Sequence, residues 1–355
     1  MLDDSCGEWR RSNESADVQR EVSMRHWFAV HINKAASYYR CSINPSSVAS
    51  TFAWRPCEFS RHTWTGREQV CARVASTLEP AAIYRVTFIG DSLSRQHSLV
   101  LAALSEADAA ASHELCFGSA PVKRTIKSAG GGTNRQQVWE VSSCWTACDA
   151  RLVISWVRSN HLDTGDAASD GRDASAAVEL QQQRARADAP ETLWAHPAVV
   201  GAADVIIFGT GSHHVSDQLL GLNLHSAMDY AKKHAKPGAA VFITLNSPGH
   251  GGCGNLTEPF RSIADAEAYL NAPTHTWYHG ASTKRQNEIA TTLFGPDATL
   301  DTYGMAVMRG DAHVSPSDCL HFCLPGPLTA WVDLLLTRAL LRRPRRKGRP
   351  KGKAA

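Results

Sequence analysis

The sequence predicts an α/β fold in which a central parallel sheet lies between two layers of helices. Short apolar, β-branched runs alternate along the chain with longer segments of helical pattern. The runs are too short for helices and too uniformly apolar for half-exposed strands, so they are typical of buried parallel strands. With 355 residues and an apolar share of 43%, the chain can bury a substantial core.

Four apolar runs are the predicted strands, and helical segments follow in the gaps between them. The predicted strands are "YRVTFIG" (84–90), "RLVISWV" (151–157), "DVIIFGTG" (204–211) and "AAVFITLN" (239–246). The predicted helices are 94–104, 220–234 after a turn at Ser216 and Asp217, 261–270 and 328–341. Because ligands of such folds bind beyond the carboxyl ends of the strands, we expect the reacting groups at that edge of the sheet.

The chain divides into one large predicted domain and weaker flanking segments. Residues 1–40 are a poorly defined N-terminal segment, 41–341 form the main domain, and 342–355 form a tail. The first 80 residues hold four cysteines and several tryptophans but little periodicity, which predicts an irregular layer stapled to the core by disulfides. Residues 163–190, rich in Ala, Asp, Gln and Arg, are predicted to be a surface insertion.

The net charge of +3 comes from the C-terminal end of the chain. The last fifteen residues, "LRRPRRKGRPKGKAA", carry eight Arg or Lys and no acid, so the rest sums to 3 − 8 = −5. That end holds too little apolar surface to fold and is predicted to be a disordered, solvated tail. A tail of this kind also suits an anionic lipid surface or an address signal, but we expect no nucleic-acid partner.

Ten cysteines, an even number, favour an oxidising compartment and disulfide bonds. Structural zinc usually draws on tighter pairs than the C-x3-C spacings at Cys144/Cys148 and Cys319/Cys323. A secreted protein should enter through an apolar leader, yet residues 1–45 contain no run long enough for one. Either the chain lacks its natural N-terminus, or the targeting signal is not visible in these residues.

The stretch "FIGDSLSRQ" (88–96) raises the first chemical hypothesis. Gly90 lets the backbone turn sharply at the end of a strand, which brings Asp91 and Ser92 to the edge of the sheet. There, Ser92 is either a nucleophile at a helix N-terminus or part of an ordinary helix cap, and the cap is the commoner role of such a motif.

The C-terminal stretch "RGDAHVSPSDCLHFCLPGP" (309–327) strengthens the nucleophile hypothesis. A serine hydroxyl needs a histidine base that a carboxylate holds in one tautomer. Asp318 and His321 are three residues apart, which predicts that both side chains share one side of a single helical turn. The alternative is a metal site built from Asp311, His313, Asp318 and His321, with His213 and His214 as a second group. We expect no metal, because no H-E-x-x-H or similar ligand spacing occurs.

Several motifs together resemble one known family. They occur in the order "WRPC" (54–57), "FIGDSLSRQHSL" (88–99), "SPGHGGC" (247–253) and "RGDAHVSPSDCLHFCLPGPLTAWVDLLL" (309–336). The set resembles the trichome birefringence-like polysaccharide O-acetyltransferases, part of the PC-esterase branch of the SGNH/GDSL hydrolase fold. The resemblance runs from about Cys41 to Leu336, and its D-C-x-H-x-C-L-P-G block is the most specific part.

The resemblance implies a flavodoxin-like αβα domain and a triad in the chain order Ser, Asp, His. Ser92 would be the nucleophile, His321 the general base and acid, and Asp318 the residue that orients His321. Acetyl transfer would follow a ping-pong course through Ser92 to a polysaccharide hydroxyl, in the Golgi lumen. No tightly bound cofactor is implied; the acetyl donor is a co-substrate, with acetyl-CoA as a candidate. An N-terminal anchor missing from this chain would provide membrane association.

The family's disulfides would pair two cysteines of the C-terminal block with two distant ones. Cys253 would pair with Cys319, and Cys41 with Cys323. Both sides of the segment that carries His321 would then be fixed.

The chain departs from the family pattern near the reactive serine and in a second block. Gln96 and His97 stand where the family has Asn and Gln, and Ile243 precedes Thr244 where an Arg is expected. The block normally written F-N-T-G-H-W-W reads "FGTGSHH" (208–214), with histidines in place of both tryptophans. Because flat aromatic surfaces that stack on sugars are lost there, the polysaccharide cannot be assigned by resemblance.

The prediction of the oxyanion and substrate residues involves these altered blocks. Gly209 has no side chain, so the oxyanion donors would be backbone amides of Ser92 and of the Gly209–Gly211 loop, helped by Arg95. The histidines of this region are either buried structural residues or residues that contact the substrate, and the sequence leaves both roles open. The full set of predicted oxyanion and substrate residues is Gly90, Asp91, Arg95, Gly209, Gly211, His213 and His250, with His214 as a further histidine candidate.

Two rival functions stay open. A carbohydrate acetylesterase would use the same triad but pass the acyl group to water, a choice that depends on how well the cleft excludes water. A glycan-binding protein that has lost activity would keep the fold, and the altered second block gives that hypothesis some support.

Overall fold

A computed structural model describes most of the main domain. The described residues are 7–11, 24, 27, 28, 30, 52–56, 66–77, 82–112, 114–120, 125–129, 136–140, 142–162, 194–214, 216–275, 277–278, 280–323 and 326–340. The predicted insertion at 163–190, the predicted disordered tail at 342–355 and Cys41 all lie outside these residues, as does most of the segment 1–40.

A seven-stranded, mostly parallel sheet forms the centre of the fold. In spatial order its strands are β11 (Thr299–Leu300), β10 (Ala240–Thr244), β9 (Val205–Gly209), β3 (Tyr84–Gly90), β8 (Leu152–Arg158), β7 (Ser142–Ala147) and β4 (Asp108–Ala109). Neighbours from β11 to β8 are parallel, whereas β7 and β4 add an antiparallel edge. The four apolar runs are therefore confirmed as the buried parallel strands.

The antiparallel edge was not predicted, and a tight turn explains it. Strands β7 and β8 are joined by residues 148–151, of which Cys148, Asp149 and Ala150 have φ values of 56, 56 and 62°. The turn is closed where the Arg151 amide donates to the Cys148 carbonyl at 3.1 Å. A connection this short reverses the chain, since parallel neighbours need a long crossover.

Within the described part of the chain, three smaller strand pairs, all antiparallel, accompany the main sheet. They are β1 (Gly7–Arg11) with β2 (Phe52–Pro56), β5 (Thr125–Ala129) with β6 (Gln136–Glu140), and β12 (His313–Ser315) with β13 (Asp318–Phe322). The last pair carries two of the predicted site residues.

Helices match the four predicted segments with small shifts at their ends, and further helices that were not predicted accompany them. The α-helices are α1 (Arg67–Thr77), α2 (Ser92–Leu104), α3 (Glu114–Phe117), α4 (Pro197–Val200), α5 (Asp217–His234), α6 (Ile263–Leu270), α7 (Thr283–Phe294), α8 (Tyr303–Val307) and α9 (Leu328–Leu335). A π-helical turn, Leu336–Leu340, follows α9. None of the helices in the described part of the chain combines the length and apolar character needed to cross a membrane.

Two separate apolar cores cover the two faces of the sheet. In β3, Val86 and Phe88 belong to one core and Ile89 to the other. Helices α2 and α9 pack in the first core, and α5 packs in the second. Because successive side chains of a strand point to opposite faces, this division confirms the three-layer αβα arrangement.

The carboxyl ends of β3, β8 and β9 form the edge of the sheet at which the reacting groups are expected, and we call this edge the reactive edge. It lies where the strand order reverses. Strand β3 lies between β8 and β9, which follow it in sequence but pair on opposite sides of it. At its carboxyl end, Gly90 is in register with Arg158 of β8 and with Gly209 of β9. Ligands of open α/β sheets bind in the crevice at such a switch point.

Removal of the Cys71–Cys148 disulfide should destabilise the fold without changing its architecture. The bond ties α1 to the turn between β7 and β8 across 77 residues. We expect the Cys71→Ser, Cys148→Ser double variant to lose about 2–4 kcal/mol in free energy of unfolding, because its unfolded chain is less constrained. Denaturant titration under oxidising conditions would measure the loss, and an unchanged midpoint would contradict the prediction.

Candidate active site

The turn between β3 and α2 depends on two glycines that let neighbouring strands approach closely. A Cβ on Gly90 would lie 2.0 Å from the Gly209 carbonyl oxygen. That carbonyl accepts hydrogen bonds from the Ser94 hydroxyl at 3.0 Å and from the Asp91 amide at 3.3 Å. Gly90 and Gly209 therefore shape the start of α2, rather than offering side chains to a substrate.

Asp91, not Ser92, caps helix α2. The Asp91 Oδ1 atom accepts hydrogen bonds from the amides of Leu93 at 2.9 Å and Ser94 at 3.4 Å. Ser92 is the first helical residue, where a backbone amide has no acceptor within the helix. The cap and the hydroxyl are thus supplied by different residues, which leaves the Ser92 side chain available for chemistry.

A chain of two hydrogen bonds joins the three residues of the predicted triad. The Ser92 Oγ atom lies 2.6 Å from His321 Nε2, and His321 Nδ1 lies 2.7 Å from Asp318 Oδ2. In this arrangement the serine hydroxyl donates to Nε2, while Nδ1–H donates to the carboxylate. The side chains of Asp318 and His321 are 9% and 18% exposed, so the imidazole is shielded but still reachable from solvent.

The predicted helical turn at Asp318 and His321 is wrong. Both residues lie in strand β13, paired with β12 across an irregular register. The Asp318 Oδ1 atom accepts from the amides of Leu320 and His321, each at 3.2 Å. This local turn around the carboxylate, which the three-residue spacing alone cannot identify, brings Oδ2 to the imidazole.

Gln96 fixes β13 against the helix that carries Ser92. Its Nε2 donates to the Phe322 carbonyl at 2.7 Å, and its Oε1 accepts from the Phe322 amide at 3.2 Å. Gln96 lies about one helical turn after Ser92 and is fully buried. It was noted in the sequence only as a departure from the family pattern, so its clamping of Phe322 was missed.

Two buried histidines support the backbone of His321. His313 Nδ1 lies 3.1 Å from the His321 carbonyl oxygen, and His313 Nε2 lies 2.8 Å from His250 Nδ1. His250 Nε2 lies 2.7 Å from the Val307 carbonyl oxygen. Burial lowers the pKa of His250 to about 4. Of the two open roles for His250, the structural one fits, because the side chain has no access to a substrate.

A disulfide holds the segment next to Asp318. Cys253 is bonded to Cys319, as the resemblance implied. Cys323 is also disulfide-bonded, but its predicted partner Cys41 lies outside the described residues. The structure adds two disulfides that were not predicted, Cys71–Cys148 and Cys116–Cys144.

The loop after β9 approaches the same edge of the sheet. A Cβ on Gly211 would lie 2.6 Å from Asn246 Nδ2, and the Ser212 hydroxyl donates to Asn246 Oδ1 at 3.0 Å. His214 is fully buried. The pKa of His213 falls to about 3, chiefly through burial and then through the charges of His161, Arg158 and His321. His213 is therefore a neutral group whose electrostatic environment includes the triad histidine.

Two arginines lie near the reactive edge in different settings. The Arg95 guanidinium lies over the Trp156 ring, 5.6 Å from its centroid, where cation–π attraction holds it. Arg158 ends β8 in register with Gly90, and its charge acts on both Asp91 and His213. Arg158 was not among the predicted site residues, although its place at the end of a predicted strand is a usable signal.

A narrow cavity lies behind Asp91, on the side of α2 that faces β9 and β10. The volume open to the centre of a water molecule is about 10 Å³. This is room for about one water molecule. Buried side-chain atoms without a hydrogen-bond partner belong to its lining: Asp91 Oδ2, His97 Nε2, Asn246 Nδ2, Ser247 Oγ and Trp331 Nε1. Asp91 thus has one satisfied and one unsatisfied oxygen, and burial raises its pKa from 3.8 to about 6.

Replacement of Asp91 by Asn should change how stability depends on pH. Because the folded-state pKa of Asp91 is raised, the wild type loses stability as the pH rises from about 4 to about 6. Asn keeps a capping oxygen and never ionises. We therefore expect the free energy of unfolding of Asp91→Asn, relative to that of wild type, to rise by about 3 kcal/mol between pH 4 and pH 7. This value corresponds to a pKa shift of about two units.

Denaturant unfolding at the two pH values would measure that difference. Asp149→Asn is a matched control, because the side chain of Asp149 is 96% exposed and its ion pair with Arg67, at 3.6 Å, is a surface pair that contributes little to stability. Its stability relative to wild type should be nearly the same at both pH values. If the free energies of unfolding of Asp91→Asn and wild type differ by the same amount at both pH values, the prediction is contradicted.

Comparisons with known proteins support the family inferred from the motifs. Residues 220–338 match the PC-Esterase family, described as a "GDSL/SGNH-like Acyl-Esterase family found in Pmr5 and Cas1p". This match includes Asp318 and His321 but begins after Ser92, and it covers about a third of the chain.

Curated relatives come from two plants. "Protein trichome birefringence-like 25" of Arabidopsis thaliana is 26% identical over 159 residues, which are 35% of this chain and 33% of the relative. "Probable xylan O-acetyltransferase 11" of Oryza sativa subsp. japonica is 26% identical over 140 residues, 32% of this chain and 34% of the relative. "Protein trichome birefringence-like 26" of Arabidopsis thaliana is 37% identical over 60 residues, 12% of this chain and 14% of the relative.

These matches span about a third or less of each relative's length. They agree with the motifs and with the parallel αβα architecture in the described residues. The chain is thus similar to trichome birefringence-like proteins, and its residues 220–338 match the PC-Esterase family, a GDSL/SGNH-like acyl-esterase family.

Proposed function

We propose that this protein is an O-acetyltransferase that moves an acetyl group through Ser92 to a hydroxyl of a polysaccharide. The observation that carries the proposal is the hydrogen-bonded chain from Ser92 through His321 to Asp318, with bond lengths of 2.6 and 2.7 Å. The similarity to a relative named as a probable xylan O-acetyltransferase supports the reaction class and suggests the type of acceptor.

In the first half-reaction, Ser92 Oγ attacks the carbonyl carbon of the acetyl donor. His321 Nε2 takes the hydroxyl proton and then gives it to the leaving group of the donor, which departs as the acyl-serine forms. Asp318 keeps the Nδ1–H tautomer and stabilises the imidazolium during this step. No tightly bound cofactor is needed, and acetyl-CoA is a candidate donor.

In the second half-reaction, a sugar hydroxyl replaces the donor. His321 Nε2 takes the proton of that hydroxyl, the oxygen attacks the acyl carbon, and the proton returns to Ser92 Oγ as the acetylated sugar leaves. The oxyanion formed in both halves would be bound by the free amide of Ser92 and by amides of the loop that begins at Gly209. Each such donor typically lowers the barrier by about 3 kcal/mol.

An acetylesterase is the second candidate, because water can replace the sugar in the second half-reaction. Two observations support the esterase candidate. The matched family is described as "Acyl-Esterase", and the partial exposure of His321 gives water access to the site. The glycan-binding alternative without activity has less support, because all three polar groups of the triad are aligned. The two enzymatic candidates differ in where the acetyl group of the acyl-serine goes.

We further propose that the protein works in the lumen of the secretory pathway, with the Golgi as the candidate compartment. The support is its disulfides, which persist in oxidising compartments. Association with a membrane through an N-terminal anchor remains part of this proposal.

Replacement of Ser92 by Ala should abolish acyl transfer. We expect acetylation of oligosaccharides to fall by at least about a thousandfold, and labelling by a fluorophosphonate probe to disappear. Ser76→Ala, at an exposed serine of α1, is a matched control that should keep both activities. Mass spectrometry of the acetylated sugar and of free acetate would separate transferase from esterase. Equal acetyl release by wild type and Ser92→Ala would end both proposals.

Asp318→Asn should lower turnover while the fold is retained. An Asn side chain matches the Asp in shape but selects the wrong tautomer of His321, so we expect kcat to fall by about 10⁴ with little change in KM. Steady-state kinetics with p-nitrophenyl acetate would measure this split. A fall in kcat of less than about tenfold would show that His321 does not need this carboxylate.

A further inference from the structure

Tyr278 is an exposed aromatic residue near the candidate active site. Its side chain is 47% exposed, and among the described residues only Val30 is another exposed large apolar residue. An exposed aromatic ring offers a large rigid surface that loses little conformational entropy on contact. The feature is therefore a candidate contact surface, and its position decides which ligand it would meet.

The backbone of Tyr278 is in a conformation that glycine would adopt more easily. Its φ is 44°, in the left-handed region, which is an outlier for a bulky residue. The turn is closed where the Gly280 amide donates to the Trp277 carbonyl at 2.9 Å. Strain of this kind gathers at functional sites but also occurs in plain turns such as Cys148–Ala150, so the contacts of Tyr278 decide its role.

The neighbouring Trp277 ties this turn to the segment that carries the triad. A Cβ on Gly249 would lie 2.7 Å from Trp277 Cδ1 and 3.3 Å from the Cys319 carbonyl oxygen. Cys319 directly follows Asp318. The turn with Tyr278 therefore packs beside the backbone that holds the carboxylate of the triad.

On its other side, Tyr278 faces the loop after β9. Its ring is perpendicular to that of His213, with centroids 6.1 Å apart and an interplanar angle of 83°. His213 is a neutral imidazole whose environment includes the charges of His321 and Arg158. Tyr278 thus lies at the rim of the reactive edge, with the triad segment on one side and His213 on the other.

We propose that Tyr278 forms a stacking subsite for one pyranose ring of the carbohydrate acceptor, with His213 as a neighbouring hydrogen-bond partner for a sugar hydroxyl. This inference rests on the proposed function, because it assigns the acceptor side of the same site. The apolar C–H face of a pyranose packs on an aromatic face, and a neutral imidazole can donate to or accept from a hydroxyl. The subsite binds a sugar unit of a chain whose neighbouring unit reaches Ser92.

The test measures binding rather than turnover, so that it does not depend on catalysis. The full chain with Ser92→Ala is titrated calorimetrically with xylohexaose, mannohexaose and a galacturonic acid hexamer. In this background Tyr278→Ala should raise Kd by about five- to tenfold for the oligosaccharide that binds best. Tyr278→Phe and Tyr278→Trp should stay within about twofold of the parent, because they keep the ring. Val30→Ala is the control for loss of an exposed apolar side chain and should leave Kd unchanged.

Tyr278→Gly separates loss of the ring from loss of the fold. Because Gly relieves the strained φ, its unfolding temperature should equal or exceed that of the parent, while its binding should be as weak as that of Tyr278→Ala. Equal affinity of the Ala variant and the parent would overturn the inference. So would the absence of binding by the parent to all three oligosaccharides.

The outcome for the proposed function is read separately. If the wild type is labelled at Ser92 by a fluorophosphonate while the Tyr278 variants bind sugar like the parent, only the stacking subsite fails. If Ser92 is not labelled, the proposed reaction fails, whatever the binding measurements show.

Discussion

The double hydrogen bond between Gln96 and the backbone of Phe322 holds the candidate site together. It joins two segments that are 226 residues apart in sequence, and it lies in the fully buried interior. Helix α2 carries Ser92 in its first turn and Gln96 in its second, so one rigid element sets the position of the hydroxyl and of the strand with His321. An amide side chain paired with a backbone amide carries no net charge, so this joint does not titrate with pH.

Buried polar groups surround this joint and restrict the movement of His321. His313 holds the His321 carbonyl, and the Cys253–Cys319 disulfide fixes the residue beside Asp318. Such groups would be costly inside an apolar core if they were unpaired, and pairing makes them rigid and directional. Among the described residues, some buried polar atoms without a partner line the narrow cavity behind Asp91, and others, such as Ser143 Oγ and Asn223 Nδ2, lie elsewhere in the fold.

The sequence predicts the buried layers well because apolar runs report burial directly. The strands from "YRVTFIG" to "AAVFITLN" and the αβα layers followed from pattern alone, and the contact between Asp318 and His321 followed from spacing and resemblance. The local structure of that contact did not, since a turn around a carboxylate and a helical turn share the same spacing. The antiparallel edge strand β7 was missed because its direction depends on the turn at Cys148–Ala150, where three consecutive non-glycine residues adopt positive φ.

Other parts of the site were hidden because they depend on tertiary contacts. Gln96 looked like a simple departure from a motif until its partner at Phe322 was known. The second block lacks the family's tryptophans, which suggested a cleft without an aromatic surface, whereas the exposed ring of Tyr278 comes from a segment with no recognisable motif. No local pattern could show that this tyrosine faces His213, because 65 residues separate the two in sequence.

The distance along the chain between the serine and its base has a consequence for synthesis. His321 is 229 residues downstream of Ser92, so the ribosome delivers the hydroxyl long before the imidazole exists. A growing chain, or one cut short before β13, would present a capped helix with an ordinary, unreactive alcohol. Under the proposed mechanism, Ser92 therefore acquires its base only once β13 has docked on α2.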